Sequence, residues 1–262
     1  MRRKKTKISR DKTINRRYLF FGDLQVPFQF DAALKSLKKL TRTFKFDEIL
    51  CVGDELDFNT ISRHSEGKPE AFLQTLDKDR ELCINLLFDL GTTIVSRSNH
   101  TDRLYKALVK IPGLLNLPEL QYAKFMGFDE LGIHYAKEPY RVYGTDFIMA
   151  HGDEGVISRL PGQTAINLAK RWGHSAIIGH VHRLGFTCHS EAFRGRLERL
   201  LLGVEVGHTC DMKKMSYLAI KGYYAQWQAG AVIMHVRNVN VSLEMIPFNN
   251  DGSFTAMGKT FS

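Results

Sequence analysis

Short apolar runs alternate along this chain with segments whose apolar residues recur every three or four positions. Tyr18–Phe21, Glu48–Val52, Thr92–Val95, Phe147–Ala150 and Ala176–Ile178 have the length and flanking polarity of buried strands. Between them, Phe30, Ala33, Leu34, Leu37, Leu40 and Phe44 fall at helical spacing with lysines between, and Asp31 stands where an N-cap is expected. Phe72, Leu76, Cys83, Leu86, Leu87 and Leu90 mark a second helix over residues 69–90, closed by Gly91, and Gln163–Trp172 reads as a third. Strand–helix–strand alternation predicts a parallel sheet with crossover helices. Residues 103–145 are less regular, broken at Ile111-Pro112-Gly113 and Leu117-Pro118 and rich in aromatics over Tyr122–Phe128. They predict a helical elaboration that shapes a substrate pocket beside a site, or plain packing of those aromatics. Leu200–Val206, Ala231–Val236 and Val239–Ile246 predict short antiparallel strands.

A polar cluster follows each of the five strand runs. These are Asp23 with Gln25, the pentad Gly53-Asp54-Glu55-Leu56-Asp57, Asn99 with His100, His151, and His180 with His182. Loops at strand ends are where sites are usually built. Carboxylate, amide and imidazole groups together suit Mn²⁺, Fe²⁺, Zn²⁺ or Mg²⁺ better than a thiolate zinc site. A carboxylate shared by two cations suits in-line phosphoryl chemistry, with a further histidine to protonate the leaving oxygen. The chain has enough residues of each kind.

Composition adds three constraints. At 262 residues and 44% hydrophobic, the chain can bury a substantial core as one domain. No apolar run approaches a membrane span, the charged N-terminus has no apolar stretch of a secretory signal, and four cysteines without paired spacing fit a reducing, cytoplasmic setting. Of the net charge of +9, nearly all belongs to residues 1–17, where nine Lys/Arg face one acid; the rest holds 28 basic and 27 acidic residues. The expected division is a basic, disordered tail over 1–17 and one domain over 18–262. Such a tail can hold nucleic acid through its phosphates, or simply solubilise the chain.

The ordered clusters resemble the calcineurin-like metallophosphoesterases, whose pattern is Asp-x-His, Gly-Asp-x-x-Asp, Gly-Asn-His-Asp/Glu, His, then Gly-His-x-His. The resemblance extends to Gly203-Val204-Glu205-Val206-Gly207-His208 and Trp227-Gln228, which look like phage and bacterial members of this length. It implies an α/β, four-layer αββα sandwich of two mixed sheets flanked by helices. It also implies two divalent ions, Mn²⁺ first among Fe²⁺, Zn²⁺, Ni²⁺ and Mg²⁺. Asp54 would bridge them; Asp23, Gln25 and His182 would complete one site, and Asn99, His151 and His180 the other. His100 would be the general acid, oriented and kept charged by Asp57. Gln25 stands where the family has histidine, and Ser98 and Thr101 replace the glycine and acid around Asn99-His100. Arg103, Arg159 and Arg183 lie near motif residues and are candidate phosphate clamps, and His208 is a candidate neighbour of the substrate.

The implied activity is metal-dependent hydrolysis of a phosphodiester, with nucleic acid as substrate through the tail. A small or cyclic nucleotide substrate, or a catalytically degenerate nucleic-acid-binding module, are the other readings. A phage-encoded member would act in the host cytoplasm.

Overall fold

Tyr18, Leu19, Phe20 and Phe21 are all fully buried. Successive strand side chains point to opposite faces, so they enter two different cores. Tyr18 and Phe20 pack with Leu50, Ile177, Val204 and Met234. Leu19 and Phe21 pack with Leu34, Leu37, Leu87 and Ile233. Burying such side chains stabilises the fold by about 1.5–3 kcal/mol each, which fixes this strand at the centre.

The computed structural model describes residues 14–63, 65, 67, 72, 75–215 and 226–262. In chain order the first half runs β1 (Asn15–Phe21), α1 (Asp31–Thr43), β2 (Glu48–Cys51), α2 (Leu76–Leu90), β3 (Ile94–Ser96), α3 (Thr101–Leu108), α4 (Pro112–Leu115), α5 (Tyr122–Phe125), α6 (Phe128–Leu131) and β4 (His134–Ala136). The second half runs β5 (Tyr140–Arg141), β6 (Phe147–Met149), α7 (Gln163–Trp172), β7 (Ser175–Ile178), β8 (Leu184–Phe193), β9 (Arg196–Val206), β10 (Gly230–Arg237), β11 (Asn240–Pro247), β12 (Phe254–Ala256) and β13 (Lys259–Phe261).

Two mixed sheets result, ordered β11-β10-β1-β2-β3-β4 and β5-β6-β7-β9-β8. In the first, β1 to β4 are parallel and β10 and β11 antiparallel. In the second, β6, β7 and β9 are parallel, with β5 and β8 antiparallel at the edges. The core containing Tyr18 and Phe20 lies between the sheets. Helices α1 and α2 cover the outer face of the first sheet, and α7 the outer face of the second through Ala165, Ile166, Leu168 and Ala169. The four-layer αββα sandwich expected from the sequence is the architecture observed.

Several local expectations change. Strand β1 begins at Asn15, because β10 pairs with it from there. Arg16 and Arg17, assigned to the tail, are therefore strand residues, and Arg16 pairs with Asp47 at 3.2 Å. The remainder of the basic segment, 1–13, lies outside the described residues. Helix α2 begins at Leu76, not 69, because Thr75 caps it by accepting from the Lys78 amide at 3.3 Å; Phe72 is exposed. Asp31 opens α1 from inside its first turn and binds Lys214 at 2.8 Å instead of capping it. Strand β9 is antiparallel to β8, as expected, but also runs parallel to β7 on its other side, and β4, β5 and β8 had no signal strong enough to predict them. Tyr122, Met126 and Phe128 are buried in the core beneath the first sheet, so the aromatics of 103–145 pack instead of covering the site.

A candidate metal centre at the strand ends

The loops leaving β1, β2, β3, β6 and β7 carry all nine candidate residues to one edge of the sandwich. Past their strands, the first two loops stay in register: Asp23 N donates to Gly53 O at 2.9 Å, Gln25 N to Asp54 O at 2.9 Å, and Asp57 N to Val26 O at 3.0 Å. In the second sheet, Gly179 N donates to His151 O at 2.9 Å. The close approach depends on glycine. A Cβ on Gly53, whose φ is +106°, would stand 2.8 Å from His151 Nδ1, and one on Gly179 would stand 2.5 Å from Asp23 Oδ2. Asp23, Gln25, Asp54, His180 and His182 all have φ between 50° and 65°. Left-handed backbone at a non-glycine residue costs on the order of 1–3 kcal/mol and persists only where the surroundings over-determine it. Its concentration at five of the nine candidates marks this edge as a held, strained constellation.

One half of the constellation gathers Asp54, Asn99, His151 and His180. Asp54, His151 and His180 each offer a ligand atom, all within 4.8 Å of one another. His151 Nδ1 donates to Val52 O at 2.9 Å, fixing the tautomer and leaving Nε2 to face Asn99 Oδ1 at 3.0 Å and Asp54 Oδ2 at 3.3 Å. That backbone partner for the outer ring nitrogen is the usual support of a metal-binding histidine. Burial opposes charge on His151, but the Asp54 carboxylate outweighs it and pushes the pKa up to about 10. Burial likewise opposes charge on Asp54, but the imidazoles of His100 and His151 hold it well below the usual carboxylate range. Burial, with His151 beside it, lowers the pKa of His180.

The other half gathers Asp23, Gln25 and His182. His182 Nε2 lies 3.0 Å from Asp23 Oδ1 and 3.0 Å from Gln25 Nε2. One imidazole nitrogen cannot donate to the carboxylate and accept from the amide at once. With the Gln25 amide turned so that its oxygen faces His182, both groups accept from Nε2–H, and the same two oxygens are the ones a cation would draw. Asp54, His151 and His180 thus have the donors and spacing for a divalent ion, and Asp23, Gln25 and His182 bring further donors beside them. The halves are unequal, because His182 Nδ1 is buried without a hydrogen-bond partner where His151 has Val52. The His182 ring is instead held edge-on by Trp227, with centroids 4.0 Å apart.

His100 sits between the metal donors and a cation. Its backbone N donates to Asp54 Oδ1 at 3.3 Å, and its Nε2 is 2.6 Å from an Arg103 guanidinium nitrogen. Asp57 Oδ2 is 3.6 Å from His100 Nδ1, while Arg103 binds the Asp57 carboxylate at 3.2 Å and its carbonyl at 2.6 Å. The expectation that Asp57 keeps His100 charged fails on this geometry. Burial lowers the His100 pKa to about 3; Asp54 opposes that shift and Arg103 adds to it. Burial raises Asp57 to about 6 despite Arg103.

Of the other arginine candidates, Arg183 is spent on the Ser158 carbonyl and Arg159 is exposed. His208 is buried beside His182, its Nδ1 facing the Cys210 carbonyl at 3.1 Å, and burial lowers its pKa to about 3.

Thr101, which follows His100, is held within its own loop. Thr101 Oγ1 accepts from Ser98 N at 3.0 Å and Ser98 Oγ accepts from Thr101 N at 3.3 Å, a reciprocal pair that closes the turn carrying Asn99 and His100 between β3 and α3. Sequence reasoning missed Arg97, which binds Asp153 through two contacts at 3.0 and 2.9 Å and also Asp102, tying the Asn99 loop to the His151 loop. It also missed Glu55, held at depth by Tyr122 Oη, whose pKa burial raises to about 7. An arginine one residue past a strand and a glutamate inside the acidic pentad were the only signals.

No family model matches the chain. The Gene 54 protein of Mycobacterium phage D29 is 30% identical to it over 245 residues, covering 89% of this chain and 94% of that protein. The chain belongs to the family of mycobacteriophage Gene 54 proteins. The family member from Mycobacterium phage L5 is 29% identical over 259 residues, covering 95% of this chain and 99% of that one. Among solved structures, this Gene 54 family member is similar to Vacuolar Protein Sorting 29 from Cryptosporidium parvum, at 14% identity and a TM-score of 0.48 over 94% of each chain. It is also similar to a Streptococcus pneumoniae protein described as a predicted phosphoesterase, at 12% identity and a TM-score of 0.40, covering 89% and 90% of the two chains.

Proposed function

We propose that the protein is a metal-dependent phosphoesterase that hydrolyses phosphodiesters at this edge, as a calcineurin-like metallophosphoesterase would. The observation that carries the reading is the convergence of Asp54, Asn99, His151 and His180 on one point beside Asp23 and His182. Asp54, Asn99, His151 and His180 would hold one divalent ion; Asp23, Asp54, His182 and Gln25 would hold a second, more weakly, for want of support at His182 Nδ1. Mn²⁺ suits the mixed oxygen and nitrogen donors best, with Fe²⁺, Zn²⁺, Ni²⁺ and Mg²⁺ as alternatives. When bound, such ions neutralise charge on the phosphoryl oxygens and acidify a water molecule.

The chain's own groups supply the rest. Arg103 lies within reach of a non-bridging oxygen of a phosphate placed against His100. In the free protein His100 is neutral near pH 7, because burial and Arg103 both oppose its proton. An anionic substrate offsets both effects, so His100 gains its proton when phosphate arrives and passes it to the leaving oxygen. Asp57, paired to Arg103, fixes the guanidinium that this exchange requires. Phage relatives favour action in the cytoplasm of a bacterial host, and the basic N-terminal segment favours nucleic acid as substrate. Among the described residues, no helix is long and apolar enough to cross a membrane.

The test is hydrolysis of bis-p-nitrophenyl phosphate with Mn²⁺ by wild type, Asp54→Asn, His151→Ala and His100→Asn. Loss of turnover by about 10²-fold or more in the His100 variant, with none detectable in the two metal-site variants, supports the reading. Absence of turnover with every ion above would sink it and leave a binding module.

A further inference from the structure

A cavity of about 490 Å³ opens beside the metal centre, lined by Arg63, Asn99, Arg103, Lys106 and Lys110 among others. That volume is within the range of about 300–1,000 Å³ typical of ligand sites. Two of its walls are shared with the centre itself: Asn99 faces His151 Nε2 at 3.0 Å, and Arg103 contacts both His100 and Asp57. The cavity therefore continues the candidate site. Its charge is one-sided, since among the described lining residues four are cations and none is a carboxylate. Arg103 shares its charge with Asp57. Arg63, Lys106 and Lys110 have no ion-pair partner among the described residues.

The cations are also arranged. Arg103, Lys106 and Lys110 follow one another at three and four residues, so they lie along one side of α3 and the turn that ends it. Seven residues of helical rise carry the row about 10 Å from Arg103, the cation that contacts His100, to Lys110. A substrate with one phosphate has nothing to place there. The body of the chain after residue 17 is near neutral, so this local excess of cations is not a reflection of general basicity.

We infer that this cavity binds a second phosphate group of the substrate, next to the one hydrolysed, so that the preferred substrate carries at least two phosphates. The inference rests on the phosphoesterase reading for the position of the first phosphate. A polynucleotide strand and a nucleoside polyphosphate share this chemistry, and the test separates them.

The full chain is compared with Lys106→Ala/Lys110→Ala and with Lys170→Gln, a control charge loss on α7. For each, kcat/KM is measured with Mn²⁺ on bis-p-nitrophenyl phosphate and on an oligothymidylate. Binding of the oligothymidylate, and of thymidine triphosphate, is measured in EDTA against salt. The expected result is a fall of about tenfold or more in the ratio of oligothymidylate to bis-p-nitrophenyl phosphate turnover, in the double variant only. Its binding slope should also become shallower by about 1.4, at about 0.7 per phosphate contact of a single strand. Loss confined to oligothymidylate identifies a strand, and loss confined to the triphosphate identifies a nucleotide. An unchanged ratio and unchanged slopes for both ligands would overturn the inference. If no variant, wild type included, hydrolyses any diester, the phosphoesterase reading fails while the EDTA binding slopes still decide whether phosphate binds here.

Discussion

Metal binding at Asp54, Asn99, His151 and His180 should release a single proton, and its affinity should follow pH accordingly. His151 carries a proton across the neutral range because Asp54, 3.3 Å away, raises its pKa to about 10 against the opposing effect of burial. An ion bound through Nε2 must displace that proton. No other group of the set contributes one: Asp54 is already ionised, His180 has its pKa lowered, Asn99 does not titrate, and the adjacent His100 is neutral above about 3. Falling pH favours the protonated, metal-free state, so affinity strengthens as pH rises and levels off only above about 10. At pH 7 the displaced proton costs about 4 kcal/mol, three pH units at 1.36 kcal/mol each. The Kd for Mn²⁺ should therefore fall about tenfold per pH unit between pH 6.5 and 8.5.

Calorimetric titration with Mn²⁺ in pairs of buffers of different ionisation heat reports the affinity and the proton count together. In Asp54→Asn the support for the His151 proton is gone, so the count should approach zero while binding itself weakens. A Kd that stays flat with pH in the wild type, or a titration that releases no proton, would refute the assignment of His151 as a ligand displaced from an ion pair with Asp54.

Three further outcomes follow from the packing. Asp79 is buried with both carboxylate oxygens unpaired, and burial raises its pKa to about 6. A carboxyl whose folded pKa lies above its unfolded value loses its contribution as pH rises through that range. Asp79→Asn should therefore stabilise the protein by about 2 kcal/mol at pH 7.5, with the gain gone below pH 4, in urea melts at the two pH values. Gly203 of β9 lies against α7, and an added Cβ would stand 2.1 Å from Ile166 N; Gly203→Ala should cost about 3 kcal/mol in the same assay. Arg97→Met frees the Asn99 and His151 loops from each other and should weaken Mn²⁺ binding about tenfold, as loss of an outer-shell support does, read in the calorimeter.

The layered fold was legible because its signal is local. Tyr18–Phe21 and Ala176–Ile178 are apolar runs of strand length, and Gln163–Trp172 repeats its apolar residues with a helical period that matches α7 at both ends. Strands β4 and β5 were not legible, because His134–Ala136 and Tyr140–Arg141 are not apolar runs as the equally short β3 and β6 are. The second pairing of β9 was not legible either: its antiparallel hairpin with β8 is local, but its parallel pairing with β7 depends on where that hairpin folds back and not on its own side chains. At the site, residue types could be read from sequence but not their states. The resemblance to metallophosphoesterases implies Asp57 as a partner for His100. It gives no hint that Arg103, three residues after His100, reaches back to occupy both. Nor could it show that Gln25 and His182 meet at 3.0 Å, or that five candidate residues share left-handed backbone. Those facts arise where loops from separate strands are forced together. That is also why the Arg63–Lys110 cavity, built from residues nearly fifty positions apart, went unseen in a chain whose body is almost neutral.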